Sequence, residues 1–353
     1  MGGGLNGHTI FDEVISLENL FRAWQQFRRG KMERLDLRSF SVSLEDRLFE
    51  LQDQLRTSTY IHESYEHFYV CDPKRRYISK ASVRDRVVHQ AVVQVVEPIF
   101  EKQFIFDSYA SRIGKGTHAS VARLERFLRK ASGNYRRVVY VLKCDIRKFF
   151  DSVRHDILLQ MIAHNVCDER LMWLIDTIVK SYAVDIGRTR GLPLGNVTSQ
   201  LFTNIYLNSL DYFVKEQLRM RWYVRFCDDF VIVHRDKKLL EQIIPQLENF
   251  LVTRCALTLH PNKVSIRKLS HGVDFVGQVL RPYYRVLRTK TRRRIFRDMI
   301  DLSEAYRKSE ITQERFRASI RSYFGILNHG SNYQTQRRLR EKIYQVLFRT
   351  TMD

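Results

Sequence analysis

Apolar residues recur at helical spacing between residues 16 and 57, with Leu17, Leu20, Phe21 and Trp24 on one face and Leu48, Leu51 and Leu55 on another, so this stretch reads as amphipathic helices. YEHFYVCDPKRRYIS (65–79) alternates like two short strands around a basic turn at Pro73–Arg76. RDRVVHQAVVQVVEPIFEK (84–102) returns to helical spacing, perturbed near its end by Pro98. VVYVLKCD (138–145) is a strongly apolar β run that ends in Asp145, and a helix is predicted after it from about Ser152 to Ile162. GLPLGNVTSQ (191–200) is a Gly/Pro-rich loop running into a helix, with Thr198 or Ser199 as the expected N-cap and Leu201, Ile205 and Phe213 as a buried stripe. YVRFCDDFVIV (223–233) reads as strand, turn, strand, and residues 238–255 as a further amphipathic helix.

The order from 138 to 260 is therefore strand, helix, loop, helix, hairpin, helix, which predicts an α+β sandwich with helices on one face of a small sheet. The last 73 residues differ in charge: Arg281–Asp353 carries 18 Lys/Arg against 7 Asp/Glu, a net of +11. TKTRRRIFRD and QRRLREK read as basic helices, and a domain boundary is expected near 283.

Composition bounds the partners. The 353 residues are 44% hydrophobic and 28% charged, enough apolar content for a large core divided into two or three subdomains. Sixty Lys+Arg against 39 Asp+Glu leave a net charge of +21, which points to a polyanion, either nucleic acid or an anionic membrane surface. Cys71, Cys144, Cys167, Cys227 and Cys255 are scattered without CxxC spacing, and the eleven histidines form no cluster with them, so reduced thiols are expected rather than zinc or disulfides. MGGGLNGHTIFDE carries neither a basic n-region nor an apolar h-region. No apolar run approaches the ~20 residues of a membrane helix. A soluble, cytoplasmic protein with no membrane partner is the expectation.

The adjacent carboxylates Asp228 and Asp229 sit at the predicted hairpin tip, where a turn alone would account for them. Asp145 ends another strand some eighty residues earlier, and in a small sheet those strands can be neighbours. Three carboxylates at one edge repel unless divalent cations reverse the sign of the interaction. Mg²⁺ takes carboxylate and phosphate oxygens, and two ions ~4 Å apart clamp the attacking and leaving oxygens of a phosphoryl transfer. On a basic protein that combination points to nucleotidyl transfer.

Motif order sharpens this. LKCDIRKFFDSV (142–153), GLPLGNVTSQLFTN (191–204) and RFCDDFVIV (225–233) occur in the order of a reverse transcriptase palm, with FCDD in the place of that family's Tyr-X-Asp-Asp box. LTLHPNKVSI (257–266) and VDFVGQVL (273–280) resemble the later palm segments, the second being the primer grip. DPKRRYIS and RDRVVHQAVVQVVEPIFEKQFIFDSYASRIGKGTHAS resemble the fingers of bacterial enzymes related to group II introns. The resemblance spans about 65–285 and implies a right-hand polymerase fold: an N-terminal helical extension (1–64), part of the fingers (65–137), a palm with an interleaved fingers segment (138–283) and a basic helical thumb (284–353). Most bacterial relatives carry a QG…SP pattern in the loop before the long palm helix, whereas this loop places Leu192 before Pro193 and Gln200 after Ser199. That variant looks like the reverse transcriptases of diversity-generating retroelements, which copy a template repeat with errors at adenines. Some phage-defence reverse transcriptases share the same short layout, and a phage-defence or retron-like enzyme is the alternative expectation.

The resemblance implies roles residue by residue. Asp145, Asp228 and Asp229 would hold two Mg²⁺ ions, with the Ile146 carbonyl as a backbone ligand and Asp228 doing more of the metal work than Asp229. Phe150 lies at the place of the steric gate that rejects a ribose 2′-OH; the plainer reading is a core aromatic beside Phe149. Lys74 and Arg76 sit where fingers residues meet the triphosphate, or form a solvated basic turn. Gln200 would lie under the incoming base and template and bear on fidelity, or be a polar residue at a helix start. Lys263 matches a palm lysine near the leaving pyrophosphate, or a surface lysine. Cys227 fills the variable position of the box. Arg292, Arg293 and Arg294 would contact phosphates without reading sequence. The implied partners are an RNA template, a DNA primer or product, dNTPs, and in the retroelement family a small basic accessory protein and a structured RNA. Two other classes fit parts of the pattern: an RNA-templated RNA polymerase or primase, against which Phe150 argues, and a non-catalytic RNA-binding scaffold, against which the intact aspartates argue.

Overall fold

The computed structural model describes residues 9–71, 75–185, 187 and 189–348. Four helices open the chain: α1 (Ile10–Ile15), α2 (Leu17–Arg28), α3 (Leu35–Val42) and α4 (Leu44–Arg56). Thr9 and Asp12 form a capping box on α1, and the Ser16 hydroxyl accepts from the Asn19 N–H to start α2. Leu20, Trp24, Leu48, Leu51 and Leu55 are buried as expected, but Phe21 is 46% exposed. Ala23 and Phe27 are buried with Leu20 and Trp24, which swings the stripe round the helix and leaves Phe21 about 100° from its centre.

These helices pack on α5 (Val83–Glu101), whose valines are buried on most sides; Pro98 stands in its last turn and does not end it. Before α5, β1 (Glu66–Val70) and β2 (Arg76–Lys80) form the expected antiparallel hairpin, with Tyr69 opposite Tyr77. After it comes α6 (Thr117–Ala131).

The central sheet is built from β3 (Tyr140–Asp145), β4 (Tyr223–Phe226), β5 (Asp229–His234) and β6 (Ser265–Lys268) in the spatial order β4-β5-β3-β6, with every neighbouring pair antiparallel. Both faces are covered. Leu142, Cys144, Phe230 and Ile232 join the large core under the helices, while Val141, Val224, Val231 and Val233 pack on the other side with α6 residues Val121, Leu124 and Phe127. A strand buried on both faces reads as a continuous apolar run, which is why 138–145 shows no alternation.

The helical layer holds α7 (Phe149–Ser152), α8 (His155–Ala163), α9 (Glu169–Lys180), α10 (Val197–Tyr212, prolonged by a π-helical turn Phe213–Gln217) and α11 (Lys237–Cys255). Two local expectations are corrected. The helix predicted from Ser152 is split, because Val153 is extended (φ −60°, ψ 120°) and α8 starts at His155. The N-cap of α10 is Asn196 in extended backbone, so Thr198 and Ser199 lie inside the first turn and are buried. Leu201 and Ile205 are buried, whereas Phe213 is only half-buried, stacked on Phe250.

A second, three-stranded antiparallel sheet follows: β7 (Val273–Phe275), β8 (Gln278–Arg281) and β9 (Tyr284–Leu287). The boundary expected near 283 falls in the turn between β8 and β9. The helices α12 (Thr289–Arg307), α13 (Gln313–Asn328) and α14 (Tyr333–Leu347) then close around a core of their own, Ile295, Met299, Phe316, Leu327, Leu339 and Ile343, joined by Leu287. Among the described residues, no helix is long and apolar enough to cross a membrane.

Candidate active site

The β3–β5 register pairs Asp145 with Asp229, and the β4–β5 register pairs Phe226 with Asp229. Cys227 and Asp228 are thereby left as a two-residue turn at the edge where β3 ends. Cys227 takes the left-handed conformation (φ 58°) that such tight hairpins require at a central position, at a cost a glycine would avoid. The turn is held to the neighbouring strand, since the Ile146 N–H donates to the Asp228 carbonyl (3.2 Å) and the His260 N–H donates to the Asp145 carbonyl (2.8 Å). Strand pairing thus gathers the three aspartates and Ile146, far apart in sequence, at one end of the sheet.

Two lysines attend them. Lys263 Nζ is 2.8 Å from Asp145 Oδ1 and Lys143 Nζ is 3.1 Å from Asp229 Oδ2. Asp229 Oδ1 is buried without a hydrogen-bond partner. Burial, opposed by Lys143 and reinforced by Asp145 and Asp228, pushes the Asp229 carboxyl up to about 6. Burial, then Asp145, also raises Asp228. No three His, Cys, Asp or Glu side chains among the described residues converge as a ligand set. The chemistry nonetheless fits divalent cations: partly buried carboxylates with too little compensating charge, one oxygen orphaned, and backbone fixed by strand pairing. Beside them opens a cavity of about 350 Å³ lined by Lys143, Lys263, Arg267 and Arg288 together with Asp145, Asp229 and Asp274, in which Lys143, Lys263 and Arg288 are each paired to one of those aspartates.

The other expected site residues are distributed around this centre. Phe149 is buried, whereas Phe150 is half-exposed, its ring edge-on to Phe149 at 5.5 Å. Its carbonyl accepts from the Leu192 N–H (2.7 Å), which ties the 191–196 loop to this corner. The same loop reaches the β1–β2 hairpin: the Leu194 carbonyl accepts from the Ser79 N–H, and Gly195 (φ 117°) lies against Ile78, where a Cβ would come within 3.3 Å of the Ile78 side chain. Gln200 is exposed in the first turn of α10, and Arg76 is exposed at the start of β2. Lys74 lies outside the described residues. Arg292 and Arg293 are exposed on α12 and Arg294 is half-buried there, beyond the three-stranded sheet. Burial pushes the Cys144 thiol up, and burial with Asp228 pushes Cys227 up to about 12, so neither is a ready nucleophile.

Two features escaped sequence reasoning. Lys143 was readable, since it stands two residues before Asp145 and therefore on the same face of β3. Arg225 was not. It is fully buried on β4 against Asp211 of α10, Nε to Oδ1 at 2.7 Å and Nη2 to Oδ2 at 2.6 Å, and Tyr223 donates to the same Asp211 Oδ1 (2.7 Å).

A strand-end aspartate registered against a hairpin doublet, on a small antiparallel sheet backed by helices, defines the palm of a template-directed polymerase. The chain belongs to the reverse transcriptase family: residues 71–280 match the family described as "Reverse transcriptase (RNA-dependent DNA polymerase)". Among curated proteins it is 26% identical over 280 residues to Protein YkfC of Escherichia coli K12, covering 69% of this chain and 71% of that one. It is 24% identical over 215 residues to the group II intron-encoded protein LtrA of Lactococcus lactis, covering 58% of this chain and 35% of LtrA. The match to an uncharacterised 91 kDa protein in the cob intron of Schizosaccharomyces pombe spans 40% of this chain and 17% of that protein at 28% identity. The chain thus spans well under two thirds of the length of LtrA and of the cob intron protein. Among solved structures, telomerase from Candida albicans with a fragment of telomeric RNA aligns over 87% of this chain and 62% of its own, at 12% identity and a TM-score of 0.49.

Proposed function

We propose that this protein synthesises DNA on an RNA template by two-metal nucleotidyl transfer. The observation that carries the reading is the register of Asp145 against Asp229, with Asp228 in the β4–β5 turn that immediately precedes Asp229. Asp145, Asp228 and Asp229, with the Ile146 carbonyl, are the residues that would hold the ions. Two Mg²⁺ ions supply activation of the primer hydroxyl and charge neutralisation on the leaving pyrophosphate. Phe150, half-exposed beside the loop 191–196, crowds the sugar of the incoming nucleotide and excludes a 2′-OH. Lys263, already on Asp145, offers a cation to the leaving pyrophosphate. Arg76, together with Lys74, meets the triphosphate, and Gln200 faces the template and incoming base. Arg292, Arg293 and Arg294 on α12 bind backbone phosphates as a thumb would, with residues 1–64, 65–137, 138–283 and 284–353 serving as extension, fingers, palm and thumb.

The template we propose is a structured non-coding RNA bearing a template repeat, copied within a diversity-generating retroelement, with a small basic accessory protein as cofactor. The support is the loop GLPLGNVTSQ, with Leu192 and Gln200 where most bacterial relatives differ. The test is primer extension by the purified protein on an RNA template with Mg²⁺, comparing dNTPs with NTPs and sequencing the product. DNA product from dNTPs, with errors concentrated at template adenines, is the expected result. Faithful DNA product would remove the retroelement assignment in favour of a defence or retron-like role, and RNA product would overturn the DNA polymerase itself.

A further inference from the structure

Among the described residues, Arg225 is the largest charged side chain sealed from solvent, at 0% exposure, and its partner Asp211 is equally sealed. A guanidinium is costly to bury, and a pair of this kind often contributes nothing to folding that apolar side chains of the same size would not. Its contacts explain its place better than stability does. Besides the two bonds to Asp211, Nη1 donates to the Cys227 carbonyl (3.2 Å) and to Asn204 Oδ1 (3.2 Å), and Nη2 donates to Ser108 Oγ (3.1 Å). One rigid plane therefore joins α10, through Asp211 and Asn204, to the carbonyl of the residue that immediately precedes Asp228.

The backbone of Arg225 is fixed as well. Its N–H donates to the Asp107 carbonyl and its carbonyl accepts from the Tyr109 N–H, so the outer edge of β4 is pinned by the 107–109 segment. Asp211 is oriented in turn by the Tyr223 hydroxyl. The Cys227–Asp228 turn needs such a brace, because Cys227 is left-handed without being glycine and the carboxylates beyond it repel one another.

We propose that Arg225, set by Asp211, is a positioning residue for the catalytic turn: it fixes the Cys227 carbonyl and so aims the Asp228 carboxylate at the metal position. The inference rests on the metal-dependent polymerase reading above. The guanidinium fork is essential to it, because a lysine on the same strand could pair with Asp211 or reach the turn but could not hold both in one plane.

The test uses the full chain and three variants: Arg225→Met with Asp211→Leu together, Arg225→Lys alone, and Asp228→Ala as the reference for a lost ligand. Thermal unfolding reports the fold, Mn²⁺ titration followed by electron paramagnetic resonance reports the metal site, and single-nucleotide incorporation reports kcat and KM. The double variant removes both buried charges at once and is expected to fold with a Tm near that of the wild type. Its Mn²⁺ affinity and its kcat are expected to fall at least roughly tenfold, as when other outer contacts of metal ligands are removed, with the KM for dNTP little changed. Arg225→Lys is expected to show the same split. Wild-type Mn²⁺ affinity in a folded double variant or in Arg225→Lys would overturn the proposal, as would failure of both to fold, since the pair would then be a requirement of the fold alone. Mn²⁺ binding separates this from the polymerase reading: a wild type that binds Mn²⁺ at Asp228 but extends no primer refutes that reading while the affinity comparison still decides the role of Arg225.

Discussion

Lys263 Nζ stands 2.8 Å from Asp145 Oδ1, so one carboxylate of the proposed metal centre already carries a cation supplied by the loop after α11. Lys143 does the same for Asp229. A metal must therefore compete with these lysines for the two carboxylates.

Lys263→Gln separates the two roles of that lysine. With a competing cation gone, Mn²⁺ affinity is expected to rise severalfold, while kcat falls by about 10²-fold for want of a cation or proton donor at the leaving pyrophosphate. Unchanged affinity in a Mn²⁺ titration would show that Lys263 does not contend with metal for Asp145.

Phe150 is the half-exposed member of an adjacent aromatic pair whose other ring is buried. Phe150→Val is expected to leave Tm within a few degrees of the wild type and to lower the preference for dNTP over NTP by at least roughly tenfold, since the steric penalty on a 2′-OH is removed. Competition between dCTP and CTP in primer extension measures this directly. A preserved preference would return Phe150 to the core.

A pH effect arises away from the catalytic centre. Burial, with His62 adding to it and Asp85 opposing, holds the His89 imidazole down at about 3. It contacts His62 Nε2 (3.2 Å) and Thr198 Oγ1 (3.3 Å) beneath the start of α10. A folded-state value below the unfolded one means that the unfolded chain takes up a proton first. Stability from this group is therefore complete above about pH 6.5 and declines as pH falls towards 3, by about 2 kcal/mol at pH 5. Chemical denaturation across pH 4–7 should show that slope in the wild type and a shallower one in His89→Gln. Equal slopes would place the titration elsewhere.

Binding of RNA by the C-terminal helices is expected to be electrostatic and insensitive to sequence. Arg292→Gln with Arg293→Gln should weaken RNA binding alike for unrelated sequences and reduce the slope of log K against log salt by about 0.7–0.9 for each charge removed. An unchanged slope would mean that this face of α12 does not meet phosphate.

Much of this was legible because it is written in short-range patterns. Two apolar runs around Asp228–Asp229 specify a hairpin, and the run into Asp145 specifies a buried strand. Their pairing is long-range, yet only a few orders of a four-stranded sheet exist, and the motif order selected one. The misreadings were of another kind. Thr198 and Ser199 are good caps by residue type, but the cap is Asn196 and the chain is already helical at Val197, so both are drawn into the core. The helix assigned from Ser152 missed the break at Val153, which no Pro or Gly announces. The Arg225–Asp211 pair joins a strand to a helix 14 residues before it, and nothing in either local pattern marks a charged side chain for complete burial.

The central claim is that Asp145, Asp228 and Asp229 are a metal centre for nucleotide addition, and single-nucleotide incorporation on an RNA template tests it most directly. Wild type, Asp145→Asn and Asp228→Ala/Asp229→Ala would be compared at equal folded fraction with Mg²⁺ and with Mn²⁺. The account predicts incorporation by the wild type, its loss in both variants, and Tm values in the variants no lower than in the wild type without metal, because mutually repelling carboxylates are removed. Incorporation that survives in either variant would contradict it.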